Sequence, residues 1–252
     1  MSKLRFTLLL LLAGCSAARI PHPAPPPTPT PPSGPATVSA ANDWVQSAAA
    51  QPVATPPGTG WHPLFDGHSL AGWQVTEFAG RGEVTCDHGL VVLGMGDPFT
   101  GLNWTNSFPT LNYEVALEAM RVTGSDFFCG LTVPVGESFC SLIVGGWGGS
   151  LVGISSLDGM DASENETTKY QEFQKGRWYR IRLRVTAGRI EGWIDDDKLV
   201  DVVTTGKQIS LRPGDIELSK PFGICSWQTT AALRALQLRS VSSPADRPKR
   251  TF

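Results

Sequence analysis

The feature that most constrains the fold is a strict alternation of apolar and charged side chains in the segment "RIRLRV". Ile181, Leu183 and Val185 alternate there with three arginines. Because successive side chains of a strand point to opposite faces, this pattern predicts a strand with one buried face and one solvated face. The segment 187–201 follows directly and predicts two antiparallel strands joined by the Asp-rich turn 195–197.

The rest of the chain after Trp61 has the same character. Apolar residues recur with period two or in short runs that Gly, Asp and Pro interrupt, and no amphipathic pattern of twelve residues predicts a helix. We predict ten strands, at 89–94, 112–122, 126–135, 138–145, 150–156, 178–187, 189–196, 198–205, 221–228 and 232–241. Ten short strands with tight turns predict an all-β fold, an antiparallel sandwich or barrel.

The first twenty residues have the pattern of a secretory signal. Lys3 and Arg5 precede an apolar run and then small residues, which is the order found in signal peptides. The run is far shorter than the roughly 20 residues that span a membrane. "LAGC", residues 12–15, resembles the bacterial lipobox, so we predict a lipoprotein signal peptide over 1–14 and a lipid on Cys15. The alternative is an ordinary signal peptide with a chance cysteine. The serine that follows is compatible with an outer-membrane lipoprotein facing the periplasm or the exterior.

Composition divides the remaining chain into a linker, a domain and a tail. Half of the residues in 19–36 are proline, which predicts an extended spacer of about 3 Å per residue. The Ala-, Pro- and Thr-rich residues that follow extend the predicted lipid-anchored linker over 15–60, with one short helix possible at 42–51. We predict one β-sandwich domain of about 180 residues over 61–242, large enough to bury a core, and a flexible tail over 243–252.

Charge and cysteine content limit the partners and the redox setting. The net charge is −2, charged residues make up 17% of the chain, and no basic stripe occurs, which argues against nucleic acid as a partner. Beside Cys15 the chain has Cys86, Cys129, Cys140 and Cys225. Cys129 and Cys140 flank a predicted turn, so they either pair across a hairpin or remain buried free thiols.

Several motifs together carry a family resemblance. They are "WHPLFDGHSLAGW" (61–73), "GLVVLG" (89–94), "YEVALEA" (113–119), "KGRWYRIRLRVTAGRIEGWIDDDKLVD" (175–201), and "GICSW" with "LRALQLRSV" (223–241). The chain resembles the 3-keto-disaccharide hydrolase family, also described as 3-keto-glycoside lyase and 3-keto-2-hydroxyglucal hydratase. The resemblance implies a concanavalin A-like antiparallel β-sandwich, or jelly roll. It also implies hydrolase or lyase chemistry on a carbohydrate, a (3-keto-)glycoside, with a divalent cation, Ca²⁺ or Mg²⁺ rather than Zn²⁺.

The middle strands depart from the family pattern. Family members often carry a "GNSG-hydrophobic-R" strand that helps to build the sugar site, whereas this chain has "GSDFFCGLTVPV" (124–135) and "SFCSLIVGGWGG" (138–149). The resemblance therefore implies the fold but transfers no catalytic residue. A glycoside hydrolase or carbon–oxygen lyase is our first interpretation. A non-catalytic, lectin-like glycan-binding module or an envelope interaction protein is the alternative.

The segment Gly145–Thr167 is the leading candidate for the site. Four glycines around Trp147 are useful chiefly where the backbone bends or a ligand comes close, and an open Trp ring suits the C–H face of a sugar. The acidic loop that follows offers oxygen ligands for a hard cation, although "DASENET" is also a plausible helix start. We predict as catalytic Asp158, Asp161, Glu164 and Glu166, and as substrate-binding Trp147, Asn165 and Lys169.

Three further acids form a second candidate for substrate binding. Glu114 and Glu118 are four residues apart in one predicted strand and so share a face, and Asp126 joins them if the turn before it is centred on Gly124. The alternative is the ordinary solvated face of a half-exposed sheet. No histidine pair occurs at zinc spacing, so a histidine-centred zinc site is not expected, and the metal ligands stay undetermined.

Overall fold

Two antiparallel sheets form the fold in this computed structural model, which describes residues 37–242, with side chains from Asp43 onward. The elements are α1 (Thr37–Ala49), β1 (His62–Pro63), β2 (Trp73–Val75), β3 (Val84–Asp87), β4 (Leu90–Leu93), β5 (Phe99–Trp104), β6 (Tyr113–Gly124), β7 (Cys129–Val135), β8 (Ser138–Gly146), β9 (Leu151–Ser155), β10 (Lys169–Tyr170), β11 (Trp178–Thr186), β12 (Arg189–Ile194), β13 (Asp197–Val203), a 3-10 helix (Asp215–Ser219), β14 (Gly223–Trp227) and β15 (Thr229–Ser240). Sheet A has the order β13-β12-β11-β6-β15-β4-β3, with β1 on β15, and sheet B the order β10-β9-β8-β7-β14-β5-β2.

This architecture confirms the predicted antiparallel β-sandwich. All ten predicted strands exist, as β4, β6 to β9 and β11 to β15. The strands that the pattern missed are short or contain weak strand formers. β2 and β3 have three and four residues, and β5, "FTGLNW", contains Gly and Asn, which are depleted in strands.

The alternation in β11 places its side chains as predicted. Ile181, Leu183 and Val185 belong to the core between the sheets, and β11 lies beside β6, whose odd-numbered residues from Tyr113 to Ala119 are also in the core. The arginines of β11 therefore lie on the outer face of sheet A. One continuous apolar layer between the two sheets holds the sandwich together.

The outer face of sheet A is partly covered by the chain's own N-terminal segment, 43–59. Ala48 is 4% exposed, and its carbonyl oxygen accepts hydrogen bonds from the Trp178 indole at 3.1 Å and from Arg234 at 3.2 Å. The amide of Ala54 donates to Glu118 at 3.0 Å. The last part of the predicted linker over 15–60 therefore hydrogen-bonds to the sheet, a contact that its polar, proline-containing composition does not predict.

The ends of the chain lie outside the described residues. The predicted signal peptide, the lipidated Cys15, the proline-rich spacer and the tail 243–252 belong to these ends. Within the described part, no helix is long and apolar enough to cross a membrane.

The four cysteines of the described domain are free thiols. Cys129 lies opposite Val144 and Cys140 lies opposite Val133 in the β7–β8 pair, so the two thiols do not face each other across the hairpin. Both are buried in the core between the sheets. Of the two alternatives that the spacing left open, the structure has the free thiols.

Candidate active site

A cleft of about 480 Å³ opens on the outer face of sheet B. Its position follows from the alternation in β8, where Leu142 and Val144 point into the core and Ser141 and Ile143 point the other way. The cleft is lined by Pro98, Phe99, Asp126, Phe127, Ser141, Ile143, Trp147, Ser155, Arg212, Pro213, Gly214, Asp215, Ile216 and Trp227.

Aromatic rings form the apolar part of this cleft. Trp227, at the end of β14, packs edge-on against Phe99 with ring centroids 4.6 Å apart, and Phe99 stacks on Phe78 at 4.8 Å. Phe127 lies 6.1 Å from Phe99. Such a surface suits ligands that present C–H groups together with a few polar ones.

Trp147 adds a second indole to the cleft from the β8–β9 hairpin. Its side chain is 44% exposed, and its backbone φ is 49°, a left-handed conformation that a bulky residue adopts rarely. Gly148 and Gly149 follow with φ values of 85° and 115°. The loop predicted as a sugar platform thus brings Trp147 into the cleft.

Asp126 lines the cleft beside Trp147. Its Oδ2 accepts the amide of Gly148 at 3.1 Å and its Oδ1 accepts the amide of Phe127 at 2.8 Å. Each carboxylate oxygen has two lone pairs, so Asp126 can still accept a hydrogen bond from a ligand hydroxyl.

Two charged side chains that the sequence did not single out line the same cleft. Asp215 begins the 3-10 helix and is exposed, and within the described chain its carboxylate makes no hydrogen bond or ion pair. Arg212 donates to Asp161 at 2.8 Å, which leaves other guanidinium donors free. Two carboxylates, a guanidinium and two indoles therefore share one cleft.

The acidic loop anchors the segment 204–215, whose end, from Arg212, forms one wall of the cleft. Asp158 accepts the amide of Gln208 at 2.8 Å, and this hydrogen bond is the largest cause that holds the pKa of Asp158 below its ordinary value. Lys207 pairs with Glu166 at 2.7 Å and with Asp158 at 3.4 Å. The wall that presents Arg212 and Asp215 is thus fixed by charges from the loop.

None of the four acids predicted as catalytic is among the described residues that line the cleft. Asp158, Asp161 and Glu166 bind the wall segment, and Glu164 is exposed. The plausible helix at 161–167 is absent, because this stretch forms turns. The composition of the loop could not show that lysine and arginine side chains some fifty residues later neutralise it.

The two other predicted binding residues of this loop also lie outside the cleft. Asn165 is buried, and its amide donates to the carbonyl oxygens of Ile154 at 2.7 Å and Asp161 at 2.8 Å. Lys169 is exposed on the edge strand β10. Asn165 therefore shapes the loop, and Lys169 lies at the margin of sheet B.

The prediction that Asp126 joins Glu114 and Glu118 on one face is wrong. Glu114 and Glu118 lie on the outer face of sheet A, whereas Asp126 lines the cleft on sheet B. The strands β6 and β7 belong to different sheets, so the turn after Gly124 carries Asp126 across to sheet B. Glu118 is bound by Arg234 at 2.6 Å. Glu114 is fully buried; burial raises its pKa, but hydrogen bonds from Arg182 and Arg239 lower it overall below the ordinary value.

The described residues do not fit the cation that the resemblance implies. In residues 43–242 no three His, Cys, Asp or Glu side chains are placed to hold a metal ion. Three acids of the loop are paired with Lys207 and Arg212, and both oxygens of Asp126 accept backbone amides. No step below therefore passes through a metal.

The residues that sequence reasoning missed are Arg212, Asp215 and Trp227. Trp227 is the next-to-last residue of the predicted strand 221–228, and the pattern there predicts only a strand. Arg212 and Asp215 lie in a loop with no periodicity, "GKQISLRPGDIELS". Long-range contacts place them beside the cleft, namely the ion pair of Arg212 with Asp161 and the hydrogen bond from Asn103 of β5 to the carbonyl of Leu218.

Two packed antiparallel sheets with a cleft on one outer face define a concanavalin A-like jelly roll. The family description "3-keto-alpha-glucoside-1,2-lyase-like domain" matches residues 60–239, and the chain belongs to this family. No curated protein matches the chain.

Solved structures with a similar fold include carbohydrate-acting and carbohydrate-binding proteins. A candidate glycosyl hydrolase from Parabacteroides distasonis is 12% identical, with TM-score 0.48, over 73% of this chain and 95% of that one. A carbohydrate-binding module from Bacillus subtilis is 12% identical, with TM-score 0.47, over 67% and 96%. A β-glucanase from Bacillus licheniformis is 9% identical, with TM-score 0.47, over 74% and 100%. At these identities the likeness concerns the fold alone.

Proposed function

We propose that the cleft binds a glycoside and that the protein cleaves 3-keto-glycosides by base-promoted elimination. One observation carries the proposal, namely that two exposed or half-buried indoles, Trp147 and Trp227, share a cleft with Asp126, Asp215 and Arg212. Sugar sites combine apolar contact to ring faces with a few polar groups that orient hydroxyls. Membership of the 3-keto-alpha-glucoside-1,2-lyase-like family supports the choice of substrate.

The proposed reaction follows from the acidity of the substrate. A ketone at C3 acidifies the hydrogen on C2, so a carboxylate can remove that proton. The electron pair of the broken C–H bond forms a C1–C2 double bond, and the glycosidic C1–O bond breaks with its pair on the leaving oxygen. Water protonates that oxygen, and the hydroxide formed takes the proton back from the carboxylic acid, so the products are an unsaturated keto-sugar and the free alcohol.

Each polar side chain of the cleft has a role in this proposal. Asp215 is the base, because its carboxylate has no partner in the described chain. Arg212 stabilises the negative charge that develops on the C3 oxygen, through donors that Asp161 does not use. Asp126 orients a sugar hydroxyl, because backbone amides fix its carboxylate in place.

Trp147→Ala tests the substrate-binding part of this proposal. We expect it to raise the KM for a 3-keto-glucoside with a chromogenic aglycone by roughly tenfold, since removing a central aromatic contact typically costs more than 1 kcal/mol. The release of the aglycone is followed with the purified protein. Trp61→Ala is the matched control, because Trp61 lies outside the lining of the cleft and packs under Arg239.

The same assay separates the competing interpretations. It is run with added Ca²⁺ or Mg²⁺ and with EDTA, and we expect turnover in EDTA because no three His, Cys, Asp or Glu side chains of the described residues are placed to hold a metal ion. Loss of turnover in EDTA would return a divalent cation to the mechanism. Binding of the glycoside without release of the aglycone would favour the glycan-binding module. If the protein neither binds the glycoside nor releases the aglycone, both functions are excluded.

We propose in addition that the protein is attached to the outer membrane through Cys15. The proposal depends on the lipobox-like "LAGC" and on the proline-rich spacer that follows it. Cys15→Ser should move most of the protein from the membrane fraction to the soluble fraction of expressing bacteria, measured by immunoblot of the two fractions. An unchanged distribution would contradict a lipid anchor.

A further inference from the structure

We propose that Arg121 is a positioning residue that holds Trp147 and Asp126 in one fixed arrangement at the cleft. The importance of Arg121 for sugar binding rests on the proposed function. Its effect on the conformation of the loop that carries Trp147 does not. Arg121 does not line the cleft, and its side chain is 4% exposed.

The strand pattern of β6 explains how an arginine reaches this place. The residues Tyr113, Val115, Leu117 and Ala119 point into the core, so period two directs position 121 to the same side. The side chain therefore extends from sheet A through the end of the core towards sheet B. There the guanidinium lies 5.1 Å from the centre of the Phe128 ring.

Four backbone carbonyl oxygens receive the donors of this guanidinium. Its Nη2 donates to Gly145 at 3.0 Å and to Gly149 at 2.9 Å, the two ends of the loop that carries Trp147. Its Nε donates to the carbonyl of Asp126 at 3.2 Å, and its Nη1 to that of Phe173 at 3.4 Å. One buried cation thus joins the segments that present the indole and the carboxylate.

The loop needs these hydrogen bonds because its backbone conformation at Trp147 is unfavourable by itself. A bulky residue at positive φ, such as Trp147, has an unfavourable backbone conformation that persists only where the surroundings determine it. Gly148 donates its amide to the Asp126 carboxylate, so the two groups are also tied directly. With the donors of Arg121, this bond fixes the loop at both ends and near its middle.

The glycines at the ends of the loop make room for the guanidinium. A Cβ at position 145 would lie 2.5 Å from Nη2 of Arg121 and 3.0 Å from Phe128. At position 149 it would lie 2.8 Å from the carbonyl oxygen of Ser125. "GGWGG" is therefore explained in part by the arginine that it encloses.

Arg121→Lys tests the inference, because lysine keeps the charge but cannot bond several carbonyls in a planar fork. The protein is labelled with 5-fluorotryptophan, and the ¹⁹F resonance of Trp147 is assigned by its loss in Trp147→Phe. We expect this resonance to shift or broaden in Arg121→Lys while those of the other tryptophans stay in place. We also expect the Kd for the chromogenic 3-keto-glucoside, measured for each variant in an Asp215→Asn background that does not cleave it, to rise roughly tenfold.

Arg234→Lys is the matched control, since Arg234 is equally buried but binds Glu118 and the N-terminal segment on the other side of sheet A. It should leave the Trp147 resonance and the Kd unchanged. An unchanged Trp147 resonance in folded Arg121→Lys would overturn the inference. If that variant does not fold, Gly145→Ala breaks the contact from the loop side and must shift the same resonance.

The two proposals fail in different ways. If the wild type binds no glycoside, the proposed function fails, and the ¹⁹F comparison still decides the role of Arg121. If the wild type binds and Arg121→Lys disturbs neither the resonance nor the Kd, only the positioning role fails.

Discussion

Asp215→Asn should lower the rate of aglycone release from a 3-keto-glycoside by about 10²- to 10⁴-fold, the range that a positioned general base contributes. Asparagine keeps the size of the side chain and a hydrogen-bond acceptor but cannot take the proton from C2. Because Asp215 is exposed at the start of the 3-10 helix, the substitution should leave folding intact. The fall should appear in kcat, with little change in KM.

Glu217→Gln is the matched control for this substitution. Glu217 lies in the same helix, pairs with Lys220 at 3.2 Å and does not line the cleft, so its loss should leave the rate within about twofold of wild type. Asp161→Asn and Glu164→Gln test the acids that the sequence favoured. Full activity in Asp215→Asn, together with a large loss in Glu164→Gln, would contradict the assignment of the base and favour the acidic loop.

Arg234→Met should lower the free energy of unfolding by about 3–5 kcal/mol, the usual result of removing one partner of a buried ion pair. Arg234 is 3% exposed and binds the Glu118 carboxylate at 2.6 Å. It also donates to the carbonyl oxygens of Gln51 and Pro52, so the N-terminal segment loses its attachment as well. For a domain of this size the melting temperature should fall by roughly 6–20 °C.

Calorimetry or urea unfolding measures this loss of stability. Two further variants show whether it comes from the buried ion pair. Arg180→Met removes an exposed arginine that pairs with Asp195 and Asp196 on the same sheet, and it should cost no more than about 1 kcal/mol. Glu118→Gln combined with Arg234→Met should cost less than the sum of the two single changes, because it leaves no unpaired buried charge. Equal losses in Arg234→Met and Arg180→Met would contradict the importance of the buried pair.

The fold was predictable because its signal is local. Alternating residues such as Ile181, Leu183 and Val185 determine the strands, and tight turns such as 195–197 join neighbours in one sheet. The N-terminal segment was not predictable, since its attachment depends on Arg234, some 180 residues later in the chain. No local pattern contains such a contact.

The site was predictable only in its apolar part. Trp147 was found because four glycines around an indole are unusual at the end of a strand. The acids of 158–166 do not line the cleft, and Lys207 and Arg212 from a distant loop pair with three of them. Asp215 was missed for the reverse reason, since nothing in its own neighbourhood distinguishes it from any other exposed aspartate.

The two sheets of the sandwich differ in how far they keep the family pattern. The motifs that carry the family resemblance supply seven strands of sheet A, namely β1, β4, β6, β11, β12, β13 and β15. In sheet B they supply only β2 and β14. The divergent segments 124–135 and 138–149 supply β7 and β8, which carry part of the cleft on sheet B. Changes of side chain on the outer face of sheet B would therefore alter the cleft without replacing the strands of sheet A that carry most of the resemblance.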